Sequence, residues 1–209
     1  MASVTIHASN LRKDYNRRTI FSDISFSLKA WESLVITGRN GAGKSTLVKV
    51  LAGVLSSTRG TVSIAEDGKD IHRNDHFRYL GFVSPYLQLY EEFTAWELLE
   101  LVRRIRGIEA PDELLKALLT RVDLYDRRND FVRTYSSGMK QRMKYACALL
   151  HLPPILMLDE PTANLDQQGC EIVMDIVKEQ KQRGIVIVAT NEEEETSWCE
   201  KTISLNIQG

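Results

Sequence analysis

The run Gly38-Arg-Asn40-Gly41-Ala-Gly43-Lys44-Ser45-Thr46 fits the spacing GxxxxGK[ST], and its chemistry is the holding of phosphate. Its glycines let backbone N–H groups converge on phosphate oxygens without Cβ obstruction, and the helical stretch that follows presents a positive N-terminal end. Lys44 has the length to reach β- and γ-phosphates, and the hydroxyl of Ser45 can ligate Mg²⁺. A second group stands at Ile155-Leu-Met-Leu-Asp159-Glu160, an apolar strand ending in two acids. One carboxylate can face a metal, and the next can act as general base on water. A third group, Tyr135-Ser136-Ser137-Gly138-Met139, sets two hydroxyls and a glycine before a helix. It reads as a second anion site, or more simply as a serine N-cap. One nucleotide in one chain has no use for two such sites.

The elements that must position these groups alternate along the chain. Ile24, Phe26 and Leu28 alternate with polar residues, as in an antiparallel strand with one wet face. Ser33–Thr37 reads as a short buried strand, followed by the phosphate loop and a helix over Ser45–Leu55. Strands are expected at Thr61–Ala65, Tyr79–Ser84, Ile155–Asp159 and Ile185–Thr190, with a closing alternation at Ile203, Leu205 and Ile207. Thr94 and Glu97 make a capping box ahead of a stripe of Leu98, Val102 and Ile105. Pro111 and Asp112 open a helix that buries Leu114, Leu115, Leu118, Leu119 and Val122. Another runs from about Gly138 to Leu150, and Asp166 is the expected N-cap of the helix between the last two apolar strands. A mostly helical block thus interrupts an α/β chain with a parallel sheet. Glu192–Glu195 reads as a solvated turn, and Arg103, Arg104 and Arg106 as the wet face of the Thr94 helix.

Composition removes several classes. Across 209 residues, 27 Lys and Arg balance 28 Asp and Glu, for a net charge of −1. That argues against a broad basic face for nucleic acid and leaves only local patches. A hydrophobic fraction of 43% excludes disorder. Cys147, Cys170 and Cys199 are far apart and odd in number, which points to a reduced, cytosolic compartment with packing roles. The start shows no secretory signal, and the runs Ile155–Leu158 and Ile185–Ala189 are far below the roughly 20 residues of a membrane helix. His7, His72, His76 and His151 show no metal-ligand spacing.

In their order, these motifs resemble the ATP-binding subunit of an ABC transporter over essentially the whole chain. The resemblance implies a P-loop NTPase fold, α/β, with a RecA-like mixed sheet core, an antiparallel β subdomain and an inserted α-helical subdomain. Residues 1–84 and 149–209 would form the core with the β subdomain, and 85–148 the helical one. Tyr135–Met139 stands at the place of the family's signature, with Ser137 for a glycine and Met139 for a glutamine. Ala163-Asn164-Leu165-Asp166 looks like the D-loop, and Tyr15 stands where the family stacks an aromatic on adenine. ATP and Mg²⁺ are the implied ligands. Nucleotide contacts carry over to Tyr15, Gly38, Asn40, Gly41, Gly43, Lys44, Ser45, Thr46, Ser136, Ser137, Gly138 and Asp166. Metal ligation carries over to Ser45, Asp159 and Gln88, and catalysis to Glu160, Lys44 and Asn191. Each signature would complete a second subunit's site, so a homo- or heterodimer is implied. Polytopic membrane subunits would dock on the helical block, with the chain peripheral on the cytoplasmic face.

Two departures stand out. Pro85 occupies the place of the glutamine that usually follows the strand Tyr79–Ser84. Either Gln88 takes over through a shifted loop, or it is an exposed loop residue. Asn191 stands where the family usually has a histidine on the γ-phosphate, and it donates one neutral hydrogen bond but cannot become cationic. A slow ATPase is therefore expected, similar to compact exporter subunits. Two alternatives are a nucleotide-binding scaffold with little turnover and a soluble ABC ATPase outside transport.

Overall fold

The computed structural model describes residues 3–16 and 18–206. β1 (Val4–Tyr15) and β2 (Arg18–Lys29) form an antiparallel hairpin. On its other side β1 pairs with β4 (Arg59–Glu66), which pairs in turn with β5 (Lys69–Asp70). The second sheet takes β3 (Ser33–Thr37), β6 (Leu80–Val83), β7 (Ile155–Asp159), β8 (Ile185–Ala189) and β9 (Lys201–Ser204) in the order β6-β7-β8-β3-β9. Among the described residues every strand pair in this sheet is parallel, while the strand pairs of the other sheet are antiparallel. Parallel neighbours need long crossovers. α1 (Lys44–Leu51) follows β3, and α5 (Gln167–Lys181) carries the chain from β7 to β8. The short α6 (Glu193–Thr196) precedes β9, and Ile207 of the expected closing strand lies outside the described residues.

The apolar runs of β7 and β8 have a simple cause: both faces of this sheet are covered. Leu156, Leu158, Val186 and Val188 enter one core with the helices, while Ile155, Met157, Ile185 and Ile187 enter another with α1 and the antiparallel sheet. The first core is closed by α2 (Ala95–Arg106), α3 (Asp112–Arg121) and α4 (Ser137–Leu149), all lying between β6 and β7 in the chain. The capping box of α2 is complete: Thr94 Oγ1 accepts from the Glu97 N–H, and Glu97 accepts from the Thr94 N–H.

Three expectations are corrected here. α1 stops at Leu51, short of Leu55, because the chain turns through Ala52 and Gly53 at φ 74°. Ile105 leaves the buried stripe of α2 and stands 70% exposed, near the end of the helix. Arg103 and Arg106 do not form a wet face. Arg103 donates to Ala110 O and Asp112, and Arg106 donates to Phe77 O, each binding the end of α2 to a neighbouring loop.

Candidate functional site

β3 delivers the chain into the glycine loop, and α1 takes it away. Gly43 caps α1 at φ 100°, and a Cβ there would lie 2.5 Å from Cγ2 of Ile20 on β2. Only glycine fits, because the hairpin rests directly on the loop. No acid stands in the first turn of α1, so its free N–H groups keep their positive end unneutralised. Lys44 is 5% exposed, and its ammonium donates to Gly38 O at 2.8 Å and Arg39 O at 3.4 Å. Asn40, Gly41, Gly43, Lys44, Ser45 and Thr46 line a cavity of about 490 Å³, together with Tyr86 and Glu160.

At the floor of the site, Asp159 ends β7 fully buried, with a hydroxyl on each carboxylate oxygen. Ser45 donates to Oδ1 at 2.8 Å and Ser84 to Oδ2 at 3.0 Å. Hard oxygens of this kind, with Ser45 lining the loop cavity and Asp159 bonded behind it, fit Mg²⁺, which usually binds through one or two protein oxygens, substrate phosphates and water. Glu160 follows at φ 48°, a left-handed conformation costly for a residue with a Cβ. The turn is held by its N–H on Ala189 O at 2.8 Å and by Ala163 N–H on its carbonyl at 3.1 Å.

A wider cavity of about 770 Å³ lies on the far side of Glu160 and holds Asn191. Asn191 Nδ2 reaches only Glu192 Oε1, at 3.4 Å. The acidic run is not a solvated turn throughout. Glu195 is 2% exposed, receives the N–H and hydroxyl of Thr162 on Oε1, and keeps Oε2 buried without a partner. One turn of α6 directs this single glutamate inward beneath the segment after Glu160.

Other expected residues lie elsewhere. Gln88 lines a separate groove with Leu87, Val102, Ile105 and Lys144, away from Asp159, because the chain after Pro85 turns toward α2. Tyr15 is half-exposed at the hairpin end with Lys13 4.7 Å over its ring, and it does not line the phosphate cavity. Ser136 caps α4 by accepting from Met139 N–H, and Ser137 beside it is exposed. A Cβ on Gly138 would meet Asn164 O at 3.1 Å, so this glycine lies against the segment after β7, not against the glycine loop. Asp166 caps α5 by accepting from Gly169 N–H at 2.8 Å. Burial pushes the Cys147 thiol up to about 12 and the Cys199 thiol up to about 11, so neither is a thiolate at neutral pH.

A phosphate cradle, a carboxylate joined to its serine, and a capped serine-glycine helix on another face invite comparison with known proteins. The sequence profile described as ABC transporter matches residues 21–163. The chain belongs to this family, as its ATP-binding domain. The ABC transporter ATP-binding protein YybJ of Bacillus subtilis, itself uncharacterized, is 31% identical over 96% of this chain and 92% of its own. The lantibiotic transport ATP-binding protein SrtF of Streptococcus pyogenes is 33% identical over 87% of this chain and 77% of its own. In fold, the chain superposes on the dimeric, post-hydrolysis ATP-binding cassette MJ0796 bound to ADP and Pi. That match has a TM-score of 0.84 at 24% identity and covers 96% of this chain and 94% of that one.

Within this ABC domain, three side chains near the site escaped motif reading. Ser84 meets Asp159 because β6 pairs in parallel with β7, Val83 opposite Leu158, so the next residue of each strand falls alongside. That pairing was the only signal available. Tyr86 enters the phosphate cavity from the same loop. Lys144 of α4 sends its ammonium back to that loop.

Proposed function

We propose that this chain binds MgATP and hydrolyses it as the ATPase subunit of a transporter whose membrane-spanning subunits are separate chains. The observation that carries the reading is the hydrogen bond from Ser45, which lines one cavity with Lys44 and Glu160, to the buried carboxylate of Asp159 behind it. Lys44 and the N–H groups of the loop would neutralise the β- and γ-phosphates, with Asn40, Gly41 and Thr46 around them. Ser45 and Asp159 would hold Mg²⁺, which when bound spreads the charge that develops on the transferred phosphoryl group. Glu160 accepts a proton from the attacking water as general base, and Asn191 donates one neutral hydrogen bond toward the γ-phosphate. Tyr15 would turn onto the adenine from the hairpin.

Ser136, Ser137 and Gly138 do not line the phosphate cavity, and on this reading they would serve the nucleotide of a second subunit. A dimer of ATP-binding subunits follows, with two-fold closure the simplest assembly. MJ0796, described as dimeric, supports that arrangement. The groove beside α2, with Val54, Phe77, Leu87 and Ile105 exposed, suits a segment of a membrane subunit, and SrtF, named for lantibiotic transport, supports a transport role. Among the described residues no helix is long and apolar enough to cross a membrane, so the bilayer path would belong to the partner and this chain would lie on its cytoplasmic face. Residues 1–84 with 149–209 would move as the core, and 85–148 as the helical subdomain.

Co-expression with a candidate polytopic membrane subunit tests the reading. Co-purification, with ATP-dependent phosphate release by the complex, is expected. Pro85 and Asn191 favour a second reading, a scaffold that binds ATP without turnover, and ATP binding with no phosphate release from the complex would select it.

A further inference from the structure

The loop after β6, which passes through Pro85, is tied to the site more firmly than a plain loop requires. Ser84 is 1% exposed, and its hydroxyl donates to Asp159 Oδ2 while Ser45 occupies Oδ1. The plane of the carboxylate is thereby set from both sides. Behind Ser84, the ammonium of Lys144 donates to Ser84 O at 3.1 Å and Pro85 O at 2.8 Å. Lys144 is 9% exposed and forms no ion pair among the described residues. A buried ammonium is costly unless its protons are received, so two carbonyls held at this spacing keep both loop and lysine in place. Proline adds to the stiffness by fixing φ at the intervening residue. One continuous chain of hydrogen bonds therefore runs from α4, the helix capped by Ser136, through Lys144, Ser84 and Asp159 to Ser45.

We propose that Ser84 is a positioning residue for the metal-binding carboxylate of Asp159, and that Lys144 clamps Ser84 in place. The inference rests on the reading of Ser45 and Asp159 as the Mg²⁺ site. Groups that orient a metal ligand typically contribute 10–100-fold to metal affinity or activity when removed. They should act on the metal-dependent part of nucleotide binding alone.

The test is calorimetric titration of ATP into wild type, Ser84→Ala, Ser84→Thr and Lys144→Met, each in Mg²⁺ and in EDTA. Ser84→Ala should weaken ATP binding in Mg²⁺ by roughly 10–100-fold and leave binding in EDTA unchanged. Ser84→Thr, which keeps the hydroxyl, should recover most of the loss. Lys144→Met should show the same metal-selective loss. Equal losses in both buffers, or none, would overturn the assignment of Ser84 or of the Lys144 clamp, whichever variant shows it. A variant too unstable to titrate is replaced by Ser84→Cys or Lys144→Arg in the same comparison. If wild type itself binds ATP no better with Mg²⁺, the Ser45–Asp159 metal site fails, and this inference with it.

Discussion

Lys44 is nearly enclosed, with its charge spent on loop carbonyls, and a phosphate anion is a far stronger acceptor than either of them. Lys44→Ala should therefore weaken MgATP binding by about 1.5–3 kcal/mol, roughly 10- to 150-fold. Calorimetry checks this, with circular dichroism showing that the glycine loop and its helix still fold. Asn191 is a smaller lever. The resemblance sets its amide where a histidine is usual, and among the described residues that amide reaches only Glu192. Asn191→Ala should lower turnover roughly 2- to 12-fold, the range of one neutral hydrogen bond. Asn191→His should raise turnover, because an imidazole reaches further and can carry charge toward the transition state. Steady-state phosphate release by both variants decides it: rates within twofold of wild type would make Asn191 a strand terminator only.

At the scale of elements, the junction of α2, β6 and the end of α4 is held by Arg106 and His151. His151 Nε2 lies 3.0 Å from Arg106 Nη1 and 3.1 Å from Leu80 O, while Nδ1 is buried with no partner among the described residues. Burial first, and the guanidinium second, push the imidazole down to about 4 from its ordinary 6.5. The folded state thus prefers neutral His151, and the unfolded chain binds more protons between those two values. Its stabilisation is fully present above pH 6.5 and is lost as the pH falls toward 4. Allowing for partial solvent screening, the loss is about 1–3 kcal/mol. Urea midpoints from pH 7.5 down should fall for wild type and fall less for His151→Gln; parallel curves would contradict this.

The elements themselves were largely legible. β3, β7 and the capping box at Thr94 follow from local runs and short-range spacing, which is where periodicity and capping chemistry act. What could not be read is whatever depends on the neighbour across a gap. Four consecutive glutamates look alike in the sequence, but only Glu195 faces inward, under Thr162. Gln88 had the right chemistry for a metal and the wrong direction, since the chain past Pro85 bends toward α2. Ser84 gained its place from strand register, which no motif encodes. Lys144 stands inside a helix face that is otherwise buried, and its acceptors lie about 60 positions earlier in the chain.

For the molecule as a whole, the proposed function needs two copies of the ATP-binding fold around each pair of nucleotides, with chemistry supplied by Glu160. Phosphate release from MgATP by wild type and by Glu160→Gln, followed as protein concentration is raised, tests that most directly. Wild-type activity per subunit should climb with concentration as dimers fill. Glu160→Gln should bind ATP normally, persist as an ATP-dependent dimer in sedimentation, and release phosphate about 10²–10⁴-fold more slowly, the range for a lost general base. A Glu160→Gln rate equal to wild type, with activity per subunit independent of concentration, would contradict both the role of Glu160 and the shared site.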